Sequence, residues 1–105
     1  GSARSNVVDA YDTSLTRTIP TALSVAREYL AATTVGNYAL FGGGYTGSTA
    51  SNVVDAYDTS LTRTTPTPLS VAREYLAATT IGNYALFGGG RDGSAYFNAV
   101  DVYTA

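Results

Sequence analysis

The sequence predicts an all-β fold of short antiparallel strands, and three observations lead to this prediction. The segment Leu23–Gly44 recurs as Leu69–Gly90 with a single change, so the chain holds two copies of one unit with a period of 46 residues. Each copy contains stretches rich in Val, Thr and Tyr, which favour strands. Between two of these stretches lies Gly-Asn, a dipeptide typical of a tight β-hairpin. Each unit is therefore predicted to be four short strands joined by hairpins.

The strands follow one order along the unit. Asn6–Asp12 is rich in Val and Tyr and ends in turn-forming residues, which is typical of a strand. Leu15–Ile19 is a second, Thr-rich strand that stops at Pro20. Arg27–Val35 and Tyr38–Phe41 are the two strands of the Gly-Asn hairpin.

A helix over Pro20–Ala32 is the alternative for the middle of the unit. A proline near its start and Leu23, Ala26 and Leu30 at helical spacing are compatible with it. No helix stop signal precedes the hairpin, however, and four strands account for every segment. We therefore favour the organisation without helices.

The period also sets the domain organisation. Residues 1–105 are predicted to form one domain of two repeats, 6–51 and 52–97, followed by a partial third repeat, 98–105. The near-identity of the repeats indicates recent duplication or deliberate engineering. Most of the variation falls in the segment after the glycine run, where a loop on a constant scaffold can vary freely.

The composition excludes several classes of function. Six Arg, no Lys and eight acidic residues give a net charge of −2, which does not suit nucleic acid or an anionic membrane. The chain has no Cys and no His, and so lacks the commonest general base, the commonest metal ligand and a strong nucleophile. We therefore expect no enzyme, no catalytic residue, no cofactor and no metal site.

Three motifs recur in each unit: an arginine that opens a predicted strand, a glycine pair that ends the next strand, and Tyr-Asp at the end of the one after. The residues are Arg27 and Arg73, Gly42, Gly43, Gly88 and Gly89, and Tyr11-Asp12 and Tyr57-Asp58. This combination resembles the kelch repeat of β-propellers, in which an arginine opens the inner strand, a glycine pair ends the second strand and Tyr-Asp ends the third. The family usually has a Trp in the outer strand, where this chain has Leu15 and Leu61.

The resemblance implies two propeller blades per chain and protein or glycan binding through loops on one face. Blades bury their faces against neighbouring blades, and two repeats are fewer than the roughly three that a stable stack needs. We therefore expect the chain to bind itself. Three chains would close a six-bladed ring and four an eight-bladed ring, and we favour the tetramer over the trimer.

The strand count predicts how such copies connect. We name the four strands of a blade inner, second, third and outer. The chain begins with a third strand (6–12) and an outer strand (15–19), and it ends with an inner, a second and a third strand. The second blade is therefore expected to be composite, with its outer strand supplied by the N-terminus of the next chain. Residues 1–12 and 95–105 compete for one place in it. The bounds predicted for the C-terminal strands are 72–81, 84–89 and 98–103.

Three groups of residues have features of cofactor, catalytic or metal sites. For each group we favour a structural role instead. Gly42–Gly47 and Gly88–Gly93 match G-x-G-x-x-G, but a strand rather than a helix is expected to follow, which indicates a turn. Asp9 and Asp12 lie three apart and so on opposite faces of a strand, which does not suit a glycosidase pair. Asp12 and its repeat Asp58 are expected to hold turns. The segment Arg91–Ser94 carries too few oxygen ligands for calcium.

The remaining candidates concern packing and specificity. Arg27 and Arg73 could bind an anion at a ring axis, but a hydrogen-bonded structural role between blades is favoured. The residues expected between blades are Arg27, Arg73, Gly42, Gly43, Gly88 and Gly89. The aromatic and charged residues that do not recur are the candidates for a ligand-facing loop, namely Tyr45, Arg91, Asp92 and Tyr96.

The leading interpretation is a non-catalytic, self-assembling β-propeller scaffold, natural or designed, with loops that bind protein or glycan. The alternative is a surface adhesin or lectin-like module from a larger repeat protein. An enzyme is the least favoured class because the chain lacks His and Cys.

Overall fold

The computed structural model describes residues 4–105, and every regular element in this part of the chain is a β-strand. It follows that these residues include no helix able to cross a membrane. The helix considered over Pro20–Ala32 is wrong, because Tyr29 has a φ of +58°, which a right-handed helix does not allow. The strands are β1 (Ala10–Tyr11), β2 (Arg17–Thr18), β3 (Ala31–Val35), β4 (Tyr38–Gly42), β5 (Val54–Tyr57), β6 (Arg63–Thr64), β7 (Ala77–Ile81), β8 (Tyr84–Gly88) and β9 (Val100–Thr104).

The strands form antiparallel sheets of four, three and two strands. The first sheet is β3-β4-β5-β6, the second sheet is β7-β8-β9, and β1 and β2 form the N-terminal hairpin. The all-β, antiparallel organisation is confirmed, and the predicted four-stranded unit is complete once. Within residues 4–105 the three sheets do not close into a ring.

The Gly-Asn hairpin forms in both repeats as the sequence predicts. Val35 pairs with Tyr38 across the turn, and Gly36 has a φ of +54°, which glycine adopts without a steric penalty. The second repeat has the same register, with Ile81 opposite Tyr84. The hairpin therefore sets which side chains of the two strands share a face.

The inner strands are shorter than predicted. The expected strand Arg27–Val35 begins only at Ala31, because the left-handed φ of Tyr29 interrupts the extended backbone. Tyr75 has a φ of +57°, and β7 is shortened in the same way. Arg27 consequently lies before the strand, in an isolated bridge with Ser5.

The turn between the third and outer strands is held by an aspartate, as predicted. In the first copy, Asp12 Oδ1 accepts hydrogen bonds from the amides of Ser14 at 2.8 Å and Thr16 at 3.0 Å. Leu15, inside this turn, has a φ of +63°. The strand predicted over Leu15–Ile19 is therefore reduced to β2. The second copy has the same turn.

The third-strand segment has a different environment in each of its three copies. β5 pairs with β4 on one side and β6 on the other. Among the described residues, β9 pairs with β8 and has no strand on its outer side, while β1 pairs only with β2. Of the competing segments 1–12 and 95–105, the second takes the place beside β8 in the single chain. Residues 1–3 of the first segment lie outside the described residues.

The core lies between the first and second sheets. Leu40 and Val54 of the first sheet belong to one buried apolar cluster with Ala85 and Phe87 of the second. The inner strands β3 and β7 lie side by side, and the hydroxyl groups of Thr33 and Thr80 approach to 2.6 Å across them. Buried aliphatic side chains complete the cluster, namely Val35, Ala56, Leu69 and Leu76.

The glycine that ends β4 lets the second sheet approach the first. A Cβ atom at Gly42 would lie 2.8 Å from the buried ring of Phe87, whereas at Gly88 the nearest atom would be Val100 Cγ2 at 3.7 Å. We expect Gly42→Ala to lower the free energy of unfolding by about 1–3 kcal/mol through overpacking. Gly88→Ala should change it by less than about 0.5 kcal/mol.

Urea denaturation, at a concentration where the chain is monomeric, compares the two glycine variants. The substitution is the same in both, and both glycines end the second strand of a repeat, so the difference isolates the contact between sheets. Equal losses of stability in the two variants would contradict this role of Gly42.

Candidate functional site

A buried arginine ties together three segments of the first sheet. The side chains of Arg27 and Asp55 are both 0% exposed, and Nη2 lies 2.6 Å from Oδ2. Arg27 Nη1 donates to the carbonyl oxygens of Gly43 at 2.7 Å and Val53 at 2.8 Å. Ser24 donates to the same carboxylate oxygen through its amide and its hydroxyl. We call the loop that precedes the inner strand of each sheet the entry loop (residues 19–30 in the first sheet and 65–76 in the second). The entry loop, the end of β4 and the start of β5 thus converge on the Arg27–Asp55 pair.

Burial and the paired charge act in opposite directions on the pKa values of Arg27 and Asp101. Burial lowers the pKa of the Arg27 guanidinium, and the carboxylate of Asp55 opposes this effect. In the second sheet, Arg73 pairs with Asp101 at 2.9 Å. Burial alone would raise the pKa of Asp101, but hydrogen bonds from Arg73 and Ser70 outweigh it and the pKa is lowered. The stabilisation from this pair is therefore present above the ordinary pKa of aspartate and is lost as the pH falls.

Main-chain hydrogen bonds cross between the two sheets beside the core, whereas the hydrogen bonds of the Arg27 and Arg73 side chains stay within their own sheets. Gly44 donates its amide to the carbonyl oxygen of Arg73 at 2.8 Å. A Cβ at Gly43 would lie 2.8 Å from that same carbonyl, whereas a Cβ at Gly89 would have nothing within 4 Å. Of the glycine pairs expected between blades, the pair in the first repeat meets another sheet, and Gly88 and Gly89 lie at an open surface.

The four residues expected to form a ligand-facing loop do not all lie at one site. Tyr45 and Arg91 are at equivalent positions of the two repeats and start different loops. Asp92 Oδ1 accepts the amides of Ser94 and Ala95 at 2.8 Å each, and these bonds lower the pKa of Asp92. Asp92 thus holds a turn of its own loop.

Arg91 and Tyr96 line an open pocket of about 450 Å³ together with Gly90 and Tyr75. The Arg91 guanidinium lies 4.9 Å from the centroid of the Tyr75 ring, which stacks on Tyr29 at 4.0 Å. The sequence does not single out the two stacked tyrosines, because their left-handed φ angles are visible only in the structure. Ligand recognition by this loop stays a prediction.

The other site motifs have no supporting geometry in the described residues. Among residues 4–105, no group of three or more His, Cys, Asp or Glu side chains could hold a metal ion. The two glycine-rich segments lead into β5 and β9, so the helix that a dinucleotide fingerprint requires does not follow them.

The second sheet exposes an apolar face that the first sheet buries. We call this the C-terminal face; it faces away from the first sheet and lies on alternate positions of the three strands. Ile81 on this face is 66% exposed, whereas Val35, its counterpart 46 residues earlier, is 2% exposed. The counterparts of its other members are also buried, against the second sheet. The C-terminal face consists of Ile81, Leu86, Gly88, Val100 and Val102.

The first sheet has the complementary open surface, which we call the N-terminal face. It lines a pocket of about 420 Å³ between the first sheet and the segment before β1. Phe41 lies in this pocket only partly buried, whereas its counterpart Phe87 is fully buried against the first sheet. The N-terminal face consists of Leu30, Ala32 and Phe41. The two faces are therefore the two halves of the interface inside the chain, each without its partner.

No family model matches the sequence, and no curated protein matches it. The sequence predicts self-association, but it does not indicate which residues form the two faces, because residues at equivalent repeat positions are nearly identical whether they are buried or exposed.

Proposed function

We propose that the chain is a non-catalytic scaffold that assembles with copies of itself, head to tail, into a β-propeller ring. Each sheet is one blade, and the C-terminal face of one copy docks on the N-terminal face of the next. Three chains close a ring of six blades and four chains a ring of eight. We favour the ring of four chains.

The observation that carries this proposal is the difference in exposure between Val35 and Ile81. The two side chains fill the same place in the repeat, and only Val35 has a neighbouring sheet. An apolar face left in water is unfavourable, and a contiguous one marks an interaction surface. Because the missing neighbour is another copy of the same repeat, a second copy of this chain is the occupant that fits.

The direction of assembly follows from the difference between the two faces. They lie at opposite ends of the array of sheets, so the contact between copies is heterologous. A heterologous contact produces either a closed ring or an open fibre. A ring leaves no face unpaired, whereas every open assembly leaves one face uncovered at each end.

The mass of the particle in solution tests the proposal. Three copies of the 10.9 kDa chain would weigh about 33 kDa and four copies about 44 kDa. We expect multi-angle light scattering to find one of these masses, constant over a range of micromolar concentrations. A stable particle of 10.9 kDa would contradict the proposal, and a mass that rises steadily with concentration would indicate a fibre.

A further inference from the structure

We propose that, in the assembled ring, the N-terminal hairpin of one copy enters the second sheet of the neighbouring copy and displaces β9. This inference rests on the proposed assembly. β1 takes the place beside β8, and β2 becomes the fourth strand that the second sheet lacks. β9 is then a placeholder that completes the third position of the second sheet only in the single chain. On assembly, Val100 and Val102 leave the C-terminal face, and their counterparts Val8 and Ala10 of the neighbouring copy take their positions.

The N-terminal segment is an identical copy of the strand that completes the first sheet. Residues 5–12 read SNVVDAYD, as do residues 51–58, which contain β5. The strand that they would join is identical as well, because β4 and β8 both read YALFG. Residues 97–104 read FNAVDVYT and agree with 51–58 at four of eight positions. The N-terminal segment therefore has the same sequence as the strand that pairs in the complete sheet, whereas the segment that contains β9 matches that sequence only in part.

The N-terminal segment is already attached where the exchange requires it. The amide of Leu23 donates to the carbonyl of Asn6 at 2.8 Å, as the amide of Leu69 does to the carbonyl of Asn52. The bond at Asn52 connects the segment before β5 to the second sheet's entry loop while β5 itself pairs in the first sheet. The segment at Asn6 has the corresponding attachment to the first repeat and lacks only the sheet with which to pair.

The repeat also specifies the register of the exchanged strand. In the complete sheet, Leu40 lies opposite Ala56. The same register places Leu86 opposite Ala10 of the neighbouring copy. β2 already pairs with β1 in the register that β6 has with β5. The hairpin can therefore enter as a unit and bring the outer strand with it.

The position opposite Leu86 requires a small side chain once another sheet covers it. Ala56, at this position in the first sheet, is 6% exposed and belongs to the buried cluster. Val102 takes the position in β9 and is 55% exposed because no sheet covers it in the single chain. Its two additional methyl groups would crowd a docked copy, whereas Ala10 fits as Ala56 does.

The exchange also provides Arg73 with an aspartate partner that is less exposed to water. Asp55, the partner of Arg27, is 0% exposed, whereas Asp101, the partner of Arg73, is 18% exposed. Asp9 is the N-terminal counterpart of both aspartates and is exposed in the single chain. In the exchanged sheet Asp9 pairs with Arg73 of the neighbouring copy, next to the outer strand.

Because the chain contains no cysteine, introduced cysteine pairs report which strand lies beside β8. One full-length variant carries Leu86→Cys with Ala10→Cys. The matched variant carries Leu86→Cys with Val102→Cys, which are opposite each other in the single chain. After mild oxidation of the assembled fraction, we expect the first variant to form disulfides between chains. The second variant should form no internal disulfide when it is oxidised in the assembled state, although it forms one when it is oxidised as a monomer.

The single-cysteine variants measure the background from random collisions. An internal disulfide in the assembled second variant, with no disulfide between chains in the first, would overturn the exchange and leave the assembly intact. A parent chain that stays at 10.9 kDa would overturn both proposals, so the two failures are distinguishable.

A second pair of variants tests the exchange without cysteines. We expect Asp9→Asn to weaken assembly by about tenfold or more, because Arg73 of the neighbouring copy then lacks a charged partner. Asp101→Asn should not weaken it, because Asp101 leaves the site on assembly. Dissociation constants from analytical ultracentrifugation compare them. Loss of assembly in Asp101→Asn with none in Asp9→Asn would show that β9 stays in place.

Discussion

Ile81→Glu is expected to convert the assembled protein into monomers, weakening the association of copies by at least about a hundredfold. Docking would bury an unpaired carboxylate at the place where the internal interface holds Val35. Because Ile81 is 66% exposed in the single chain, the substitution should leave the fold of the monomer unchanged. Sedimentation velocity over a range of concentrations measures the loss.

Ile19→Glu is the matched control for this experiment. Ile19 is 64% exposed, so the same charge enters a similarly accessible apolar position. Its counterpart Thr65 is exposed beside the complete first sheet, which places Ile19 outside both faces. We expect this variant to assemble like the parent. Dissociation of both variants would implicate net charge, and persistence of the Ile81→Glu assembly would show that the C-terminal face does not dock.

Asp55→Ala is expected to lower the free energy of unfolding by about 3–5 kcal/mol, because it leaves the guanidinium of Arg27 buried without a counter-charge. Both side chains of the pair are 0% exposed, so water cannot replace the lost carboxylate. The carbonyl groups of Gly43 and Val53 still accept hydrogen bonds from Arg27, but they carry no net charge. Urea denaturation of the Ile81→Glu chain, which is expected to be monomeric, gives the value.

Asp101→Ala, in the same monomeric background, is the control for the buried pair. Asp101 is 18% exposed, so water can partly solvate Arg73 when the carboxylate is removed. We therefore expect a clearly smaller loss of stability. If the two alanine variants lose equal stability, or if Asp55→Ala costs less than about 1 kcal/mol, burial is not what makes the Arg27 pair important.

Local chemistry accounts for the features of the fold that the sequence predicts. The Gly-Asn hairpin depends on the freedom of Gly36 to adopt a positive φ, and the turn at Asp12 depends on a carboxylate that accepts nearby amides. Both need only neighbouring residues. Repetition then predicts the same elements in the second copy.

Contacts distant in the chain account for what sequence reasoning missed. Arg27 is predicted to be structural, but its partner Asp55 lies 28 residues away. The only signal for the pair is that the same spacing recurs between Arg73 and Asp101. The break at Tyr29 has no local signal, because a left-handed φ is rare for tyrosine and is maintained by its surroundings.

The repeat, the hairpins and the alternation of side chains along each strand follow from the sequence, because each depends on neighbouring residues. How each copy is used depends on its contacts in the folded chain. The identical segments SNVVDAYD form only β1 at the N-terminus but the longer β5 inside the first sheet, because a strand extends only where another strand accepts its hydrogen bonds. Val35 is buried and Ile81 exposed for the same reason, since burial requires a neighbouring sheet and only Val35 has one.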